Sequence, residues 1–157
     1  MIRKARIRDA HVIRNLINEY AHRGLLLPLS LSEIYDRIRD FFVYQEETGD
    51  GALAILGICA LHIIWEDLAE IRSLAVTENH WKQGIGSRLV QACLKEATDL
   101  EVKKIFCLTY KREFFSSQGF TEIDKSQLPH KIWSDCLKCS KFPECEEIAM
   151  MYEIPRR

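Results

Sequence analysis

The chain has 157 residues, of which 47% are hydrophobic and 29% charged, so we expect one globular domain over residues 1–157 with a sizeable core. The 22 Lys and Arg residues nearly balance the 23 Asp and Glu residues, so the charge gives no indication of a basic nucleic-acid-binding face or of an acidic disordered tail. No apolar run approaches the roughly 20 residues of a membrane span, and the N-terminus lacks the apolar core of a signal peptide. We therefore expect a cytoplasmic protein that acts on a small molecule and binds neither nucleic acid nor a membrane.

The first predicted elements are a short strand and an amphipathic helix. Residues 2–7 have the composition of a strand. Asp9 resembles a helix N-cap, and Gly24 ends the helix that follows. The apolar residues of this helix recur at helical spacing: Val12, Ile13, Leu16, Ile17 and Tyr20.

An apolar loop over residues 25–29 leads to a second predicted helix, whose N-cap is Ser30 or Ser32. Its apolar side chains are Ile34, Ile38 and Phe41. A strand at residues 42–45 follows this helix.

A hairpin and two long strands come next. Residues 48–51 have the Gly- and Asp-rich composition of a hairpin turn. The long apolar run at 52–64 predicts a central strand, and residues 65–67 turn the chain into another strand at 69–76.

Two glycines, Gly84 and Gly86, stand between that strand and the next predicted helix. At such a junction the first helical N–H groups lack intrahelical partners, and the helix dipole adds roughly half a positive charge. Because glycine lets an anion approach the backbone, residues 81–87 are a candidate pyrophosphate loop. The alternative role of the glycines is to ease a tight turn. The Rossmann and Walker fingerprints, which need a third glycine or Gly-Lys-Ser/Thr, do not match.

The remaining elements continue the alternation of strands and helices. The helix after the glycines buries one face, formed by Ile85, Leu89, Val90, Cys93, Leu94 and Ala97. The later segments are a buried strand at 104–108, a short helix at 111–118, a strand at 120–123, an irregular or weakly helical segment at 124–146 and a closing strand at 148–154. This order predicts an α/β fold in which helices flank both faces of a mixed, twisted sheet.

The six cysteines form two groups. Cys59, Cys93 and Cys107 have apolar neighbours and are expected to be reduced core residues. The other three form the pattern C-x2-C-x5-C: Cys136, Cys139 and Cys145. This spacing is compatible with a zinc knuckle or a redox pair, with His130 as a candidate fourth ligand, but a second tight pair is missing. We therefore favour reduced surface thiols and assign no metal.

Several of these segments together resemble a known family. Residues 74–76, 80–87 and 114–120 are similar to the strand, acyl-CoA loop and short helix ending in Gly-Phe of the GCN5-related N-acetyltransferase (GNAT) superfamily. The family loop follows the pattern Arg/Gln-x-x-Gly-x-Gly/Ala, which matches at Gly84 and Gly86 but has Trp81 in place of the basic or amide residue. The resemblance covers nearly the whole chain.

The resemblance implies that acetyl-CoA is the co-substrate. In that family the strand before the loop splays from its parallel neighbour, and the pantetheine arm lies along it like an added strand. The implied acetyl-CoA contacts are Leu74, Ala75, Val76, Trp81, Lys82, Gln83, Gly84, Ile85, Gly86, Ser87 and Phe115.

The chemistry of amine acetylation requires a general base and a proton for the departing thiolate. Glu70 and Arg72 share one face of the predicted strand, about 7 Å apart along it. Glu70 resembles the catalytic glutamate of the family and is our candidate base, while a purely structural ion pair with Arg72 is the alternative. Many relatives have a tyrosine where this chain has Phe115, so Tyr110 or water is left as the proton donor.

A narrower resemblance concerns the acceptor. Residues 55–61, 70–76, 105–109, 120–123 and 128–131 are similar to the acetyltransferase domain of bacterial N-acetylglutamate synthases, especially the short stand-alone type. That implies acetylation of the α-amino group of glutamate, the entry to arginine biosynthesis. Arginine binds carboxylates efficiently through its planar fork, and the candidate substrate-binding residues are Arg72, Lys111 and Arg112.

Other interpretations are open. The apolar loop at 25–29 stands where the long synthases have basic residues, so glutamine, another amino acid or a protein terminus is an alternative acceptor. A non-catalytic acyl-CoA- or metal-binding regulator that uses the C-x2-C-x5-C pattern is a third hypothesis. A homodimer formed through the late strands is also compatible with the sequence.

Overall fold

The computed structural model describes residues 1–132 and 147–155, which form one mixed sheet with helices on both faces. The strands are β1 (Ile2–Lys4), β2 (Phe41–Glu47), β3 (Leu53–Trp65), β4 (Leu68–Val76), β5 (Lys104–Thr109), β6 (Thr121–Ile123) and β7 (Ile148–Glu153). The helices are α1 (Ala10–His22), α2 (Leu31–Asp36), α3 (Ile85–Asp99) and α4 (Arg112–Ser117). The sheet order is β1-β2-β3-β4-β5-β7-β6, and the predicted α/β architecture is confirmed. No helix in the described ranges has the length and apolar character to cross a membrane.

Each face of the sheet has its own core. On one face α3 buries its predicted apolar residues against β3 and β4, and α4 adds Phe115 to the same cluster. A Cβ on Gly57 would lie 3.0 Å from the side chains of Ile85 and Leu89, so this glycine lets α3 approach β3 closely. On the other face α1 and α2 pack together over β2, β3 and the end of β4.

The two central strands, β4 and β5, run parallel but pair over only a short distance. The pairs are Leu68 with Lys104, Ala69 with Ile105 and Glu70 with Phe106. Beyond Glu70 the strands diverge, so their later residues face each other across a gap. This divergence creates the space for the site.

Strand β4 contains a bulge just after this point. Ile58 of β3 pairs with Ala75 and Ala60 pairs with Arg72, so Ser73 and Leu74 together oppose one β3 residue. Ser73 has φ 54°, a left-handed conformation that is uncommon for a residue other than glycine. A bulge of this kind bends the strand, here where the second half of β4 begins.

The predicted elements within the described residues are present, with shorter bounds at two places, and most of the predicted segment at 124–146 lies outside those residues. The first strand ends at Lys4 rather than residue 7, because Ile7 begins a 3₁₀ turn that leads into α1. The second helix ends at Asp36 and does not carry Ile38 or Phe41, because the chain tightens into a 3₁₀ turn at Ile38–Asp40 before β2 begins. Its N-cap is Ser30, which forms a capping box with Glu33.

The three cysteines in the described residues are free and buried, as predicted: Cys59, Cys93 and Cys107. The thiols of Cys59 and Cys93 lie 3.6 Å apart between β3 and α3. The C-x2-C-x5-C pattern lies outside the described residues.

Candidate active site

A cavity of about 1160 Å³ occupies the gap between β4 and β5. One wall is the second half of β4 and the start of α3, and the other is the end of β5 with α4. The loop Leu25–Leu29 after α1 covers part of it. Its size exceeds the several hundred Å³ of a usual small-molecule pocket. The cavity therefore has room for two ligands at once.

The loop between β4 and α3 forms one end of the cavity. Gly84 is the N-cap of α3 with φ 80°, and Lys82 has φ 67°, so two residues of this loop adopt the left-handed conformation. The first intrahelical bond runs from Arg88 N–H to Gly84 O, at 3.1 Å. The N–H groups of residues 85–87 therefore precede the helical hydrogen-bond ladder, as expected for an anion-binding helix start.

The start of α3 lies close to α4 across the cavity. A Cβ on Gly86 would lie 3.4 Å from the ring of Phe114, so the helix start faces that ring directly. Ser87 donates a hydrogen bond to Gln118 Oε1 at 3.1 Å, and Gln91 donates to the same oxygen at 2.9 Å. These hydrogen bonds link the two walls on this side.

Trp81 anchors the loop to the end of β4. Its indole N–H lies 2.8 Å from the carbonyl oxygen of Val76 and 2.9 Å from the hydroxyl oxygen of Tyr20. The Tyr20 hydroxyl also donates to Val76 O. Lys111 Nζ lies 5.5 Å from the centroid of the Trp81 ring, within the range of a cation–π contact. Lys111 therefore lies against the loop.

Glu70 lies where β4 and β5 begin to diverge, and only 6% of the residue is exposed. Arg72 Nε donates to Glu70 Oε1 at 2.5 Å, so the two side chains share a face as the strand alternation predicts. The arginine keeps positive charge beside the carboxylate. The pair therefore places a proton acceptor, Glu70, next to a cation, Arg72, at one end of the cavity.

The β5 wall contributes Cys107, Thr109 and Tyr110. Burial raises the pKa of the Cys107 thiol far above its usual range, and the nearby carboxylates of Glu70 and Glu147 raise it further. Cys107 is therefore a neutral thiol and a poor nucleophile. Tyr110 is about one-third exposed at the end of the strand.

Most of the predicted site residues line this cavity. Those that do are Glu70, Arg72, Leu74, Ala75, Val76, Trp81, Lys82, Gly84, Ile85, Gly86, Ser87, Tyr110, Lys111 and Phe115. Gln83 and Arg112 are not among the lining residues. Arg112 instead forms an exposed ion pair with Glu122 of β6.

Sequence reasoning missed Arg37, Lys125 and Glu147, which also line the cavity. Arg37 caps the C-terminus of α2, and within the described ranges its guanidinium has no ion-pair partner. No sequence signal marked it, because the predicted helix continued past this residue. Arg37 lines the cavity together with the apolar loop and Arg72.

A metal centre is not visible in the part of the chain that the structure describes. Within residues 1–132 and 147–155, no three His, Cys, Asp or Glu side chains are grouped so that they could hold a metal ion.

Comparison with known proteins identifies one family. The family model described as "Acetyltransferase (GNAT) family" matches residues 11–120. The chain is 40% identical over 150 residues to an uncharacterized N-acetyltransferase of Chlorobaculum tepidum, covering 96% of this chain and 94% of that protein. It is 32% identical over 155 residues to an amino-acid acetyltransferase of Mycobacterium tuberculosis, covering 99% of this chain and 87% of that protein.

A solved structure matches as well. N-acetylglutamate synthase from Neisseria gonorrhoeae, complexed with coenzyme A and N-acetyl-glutamate, superposes with a TM-score of 0.87 at 25% identity. The match covers 99% of this chain but only 35% of the synthase chain. The similarity therefore concerns one part of that longer protein.

Proposed function

Since the chain belongs to the GNAT family of acetyltransferases, we propose that it transfers the acetyl group of acetyl-CoA to the α-amino group of an amino acid, with glutamate as the preferred acceptor. The observation that carries this proposal is the Glu70–Arg72 pair, buried at the point where β4 and β5 diverge. It supplies a base and a cation beside a cavity large enough for a thioester and an amino acid.

Acetyl-CoA is assigned to the end of the cavity near α3. The diphosphate is held by the N–H groups around Gly84 and Gly86, with Lys82 and Lys111 nearby to balance its charge. Trp81 acts here by anchoring the loop to Val76 and Tyr20. The pantetheine arm follows the unpaired edge of β4 along Leu74, Ala75 and Val76, so that the thioester reaches the Glu70 end.

The reaction is a direct attack by the neutral amine on the thioester carbonyl. A C–N bond forms, the C–S bond breaks, and Glu70 accepts the amine proton directly or through one water. The thiolate then takes a proton from water or from Tyr110. An acetyl-cysteine intermediate is disfavoured, because Cys107 is buried as a neutral thiol.

The acceptor carboxylates are assigned to Arg37 and Arg72. Arg72 donates its Nε–H to Glu70. A guanidinium has five N–H donors in a fork that fits a carboxylate, so the other donors of Arg72 can bind the acceptor. Arg37 reaches the same cavity from α2. Two cations suit a dicarboxylic amino acid such as glutamate, whereas the apolar loop Leu25–Leu29 favours contact with the aliphatic part of the acceptor.

The deciding experiment measures CoA thiol release at saturating acetyl-CoA with glutamate, glutamine and lysine as acceptors. We expect the highest kcat/KM for glutamate, with the acetylated product identified by mass spectrometry. A higher kcat/KM for glutamine overturns the assignment of glutamate but keeps the amino-acid class. No acetylation of any amino acid overturns the proposed function as a whole.

A further inference from the structure

A histidine–aspartate pair lies directly beside Glu70, on the neighbouring strand. His62 of β3 is the register partner of Glu70, so both side chains project from the same face of the sheet. Directly opposed residues have Cβ atoms about 4.5–5.5 Å apart. His62 Nδ1 lies 2.7 Å from Asp40 Oδ2, in the 3₁₀ turn before β2.

This pair leads away from the cavity. The side chain of Glu70 is 8% exposed, whereas those of His62 and Asp40 are 32% and 25% exposed. Neither His62 nor Asp40 is among the residues that line the cavity. His62 is therefore a partly exposed side chain at the register position opposite the buried carboxylate, and it lies outside the cavity lining.

The chemistry needs such a connection. An amino acid enters as an ammonium ion and leaves as an amide, so its nitrogen loses two protons, while the departing thiolate gains one. Each turnover therefore releases one proton to solvent. Glu70 lines the cavity that acetyl-CoA and the acceptor would fill, whereas its register partner His62 does not line it.

We propose that His62, oriented by Asp40, conducts the proton from Glu70 to solvent after each acetyl transfer. An ionised carboxylate only accepts hydrogen bonds, so Asp40 holds the tautomer that carries its proton on Nδ1. Nε2 is then the acceptor, reached from Glu70 through one water, and the imidazolium passes a proton to bulk water. This role rests on the proposed function, because it assumes that Glu70 is the base.

The surroundings of His62 favour this role. The charged groups placed against it are Asp40 from the 3₁₀ turn and, across the strand pair, Glu70 with its partner Arg72. On the same face of β3 its neighbours are Ala60 and Ile64, which are buried and apolar. The imidazole therefore lies in a short polar strip between two apolar clusters, one that contains Ala60 and one that contains Ile64.

The test compares the steady-state kcat of His62→Gln with that of the wild type at pH 7, because the relay acts after acetyl transfer and restores Glu70 for the next turnover. Glutamine keeps a donor for Asp40 but does not carry a proton. We expect kcat to fall at least about tenfold, with KM for acetyl-CoA and for the acceptor unchanged. Added imidazole should restore the rate in proportion to its concentration.

His11→Gln is the matched control, since His11 is exposed on α1; its rate should equal that of the wild type with and without imidazole. If His62→Gln folds poorly, Asp40→Asn tests the same relay, because it keeps the histidine. This variant should shift the pH profile of the rate. A wild-type rate in His62→Gln, or a reduced rate that imidazole does not restore, overturns the proposal. These outcomes are separate from failure of the proposed function, in which the wild type itself does not acetylate amino acids.

Discussion

Trp81 and Tyr20 share the carbonyl group of Val76: the indole N–H lies 2.8 Å from that oxygen, and the tyrosine hydroxyl also donates to it. Burial raises the pKa of Tyr20 above its ordinary value by more than the hydrogen bond from Trp81 lowers it, so the hydroxyl stays protonated and able to donate. These contacts fasten the loop between β4 and α3 to the end of β4 and to α1.

The first prediction concerns this anchor. Trp81→Phe removes the indole N–H but keeps an aromatic ring beneath Lys111. Because one such hydrogen bond contributes about 1 kcal/mol, we expect the Kd for acetyl-CoA to rise about fivefold in calorimetric titration. Trp65→Phe, at an exposed position on β3, is the control and should bind as the wild type does. An unchanged Kd in Trp81→Phe contradicts the anchoring role.

The second prediction concerns the base. Glu70→Gln preserves the shape of the side chain and removes its basicity, so we expect kcat to fall about 10²–10⁴-fold. The KM for acetyl-CoA should change little, because Glu70 lies at the other end of the cavity from the loop. Glu66→Gln, in the exposed turn between β3 and β4, is the matched control. Equal turnover of Glu70→Gln and wild type at pH 7 would falsify the assignment.

The third prediction concerns Arg37. Its replacement by alanine removes a charged donor for an acceptor carboxylate, so we expect the KM for glutamate to rise about tenfold to a hundredfold. The KM for acetyl-CoA should stay the same. Arg39→Ala provides the comparison, since Arg39 is exposed and does not line the cavity. If both variants give the same KM for glutamate, Arg37 does not bind the acceptor.

The fourth prediction concerns pH and stability. Asp9 accepts bonds from Arg3 at 2.7 and 3.1 Å and from Arg6 N–H at 2.7 Å. Burial raises the pKa of Asp9, but these bonds lower it by more, so the net pKa is below its ordinary value. The stabilisation is therefore present above pH 4, roughly the unfolded pKa, and is lost as pH falls through the folded pKa.

We expect Asp9→Asn to lower the free energy of unfolding by about 3 kcal/mol at pH 7, because it leaves Arg3 without its anion. The difference from wild type should shrink below about pH 4 in urea titrations, where the wild-type carboxylate becomes protonated. Asp67→Asn, in the exposed β3–β4 turn, should have little effect. A difference that stays constant with pH rules out the ion pair as its source.

The fifth prediction concerns the core thiols. The hydrogen bond with Cys93 and burial raise the pKa of Cys59, and burial raises that of Cys107. In a variant with Cys136, Cys139 and Cys145 changed to serine, we expect no reaction with a thiol reagent at pH 8 until denaturant is added. Fast reaction in the folded variant would show that these thiols are accessible.

Local rules were sufficient for the parts of the site that lie on one segment. Period-2 alternation placed Glu70 and Arg72 on one face, and the two glycines marked the start of α3 correctly. The bulge at Ser73 left no sequence signal, because its left-handed conformation is imposed by pairing with β3. Backbone strain of this kind depends on the neighbouring strand.

Contacts between segments that are distant along the chain could not be predicted from the sequence. Arg37 and Arg112 are both arginines near helix ends, yet one lines the cavity and the other pairs with Glu122. The distinction depends on how α2 and α4 pack against the sheet. The second helix was predicted too long for a related reason, since Ile38 fits the helical period although the chain has already tightened toward β2.

The short pairing between β4 and β5 has a mechanical consequence. The sheet consists of a half formed by β1 to β4 and a half formed by β5, β7 and β6, joined along the central seam by three residue pairs. Without a ligand, water must solvate the facing strand edges, and little backbone bonding resists relative movement of the halves. A pantetheine arm lying in the seam would displace that water and brace the halves together, so the melting temperature should climb with acetyl-CoA concentration.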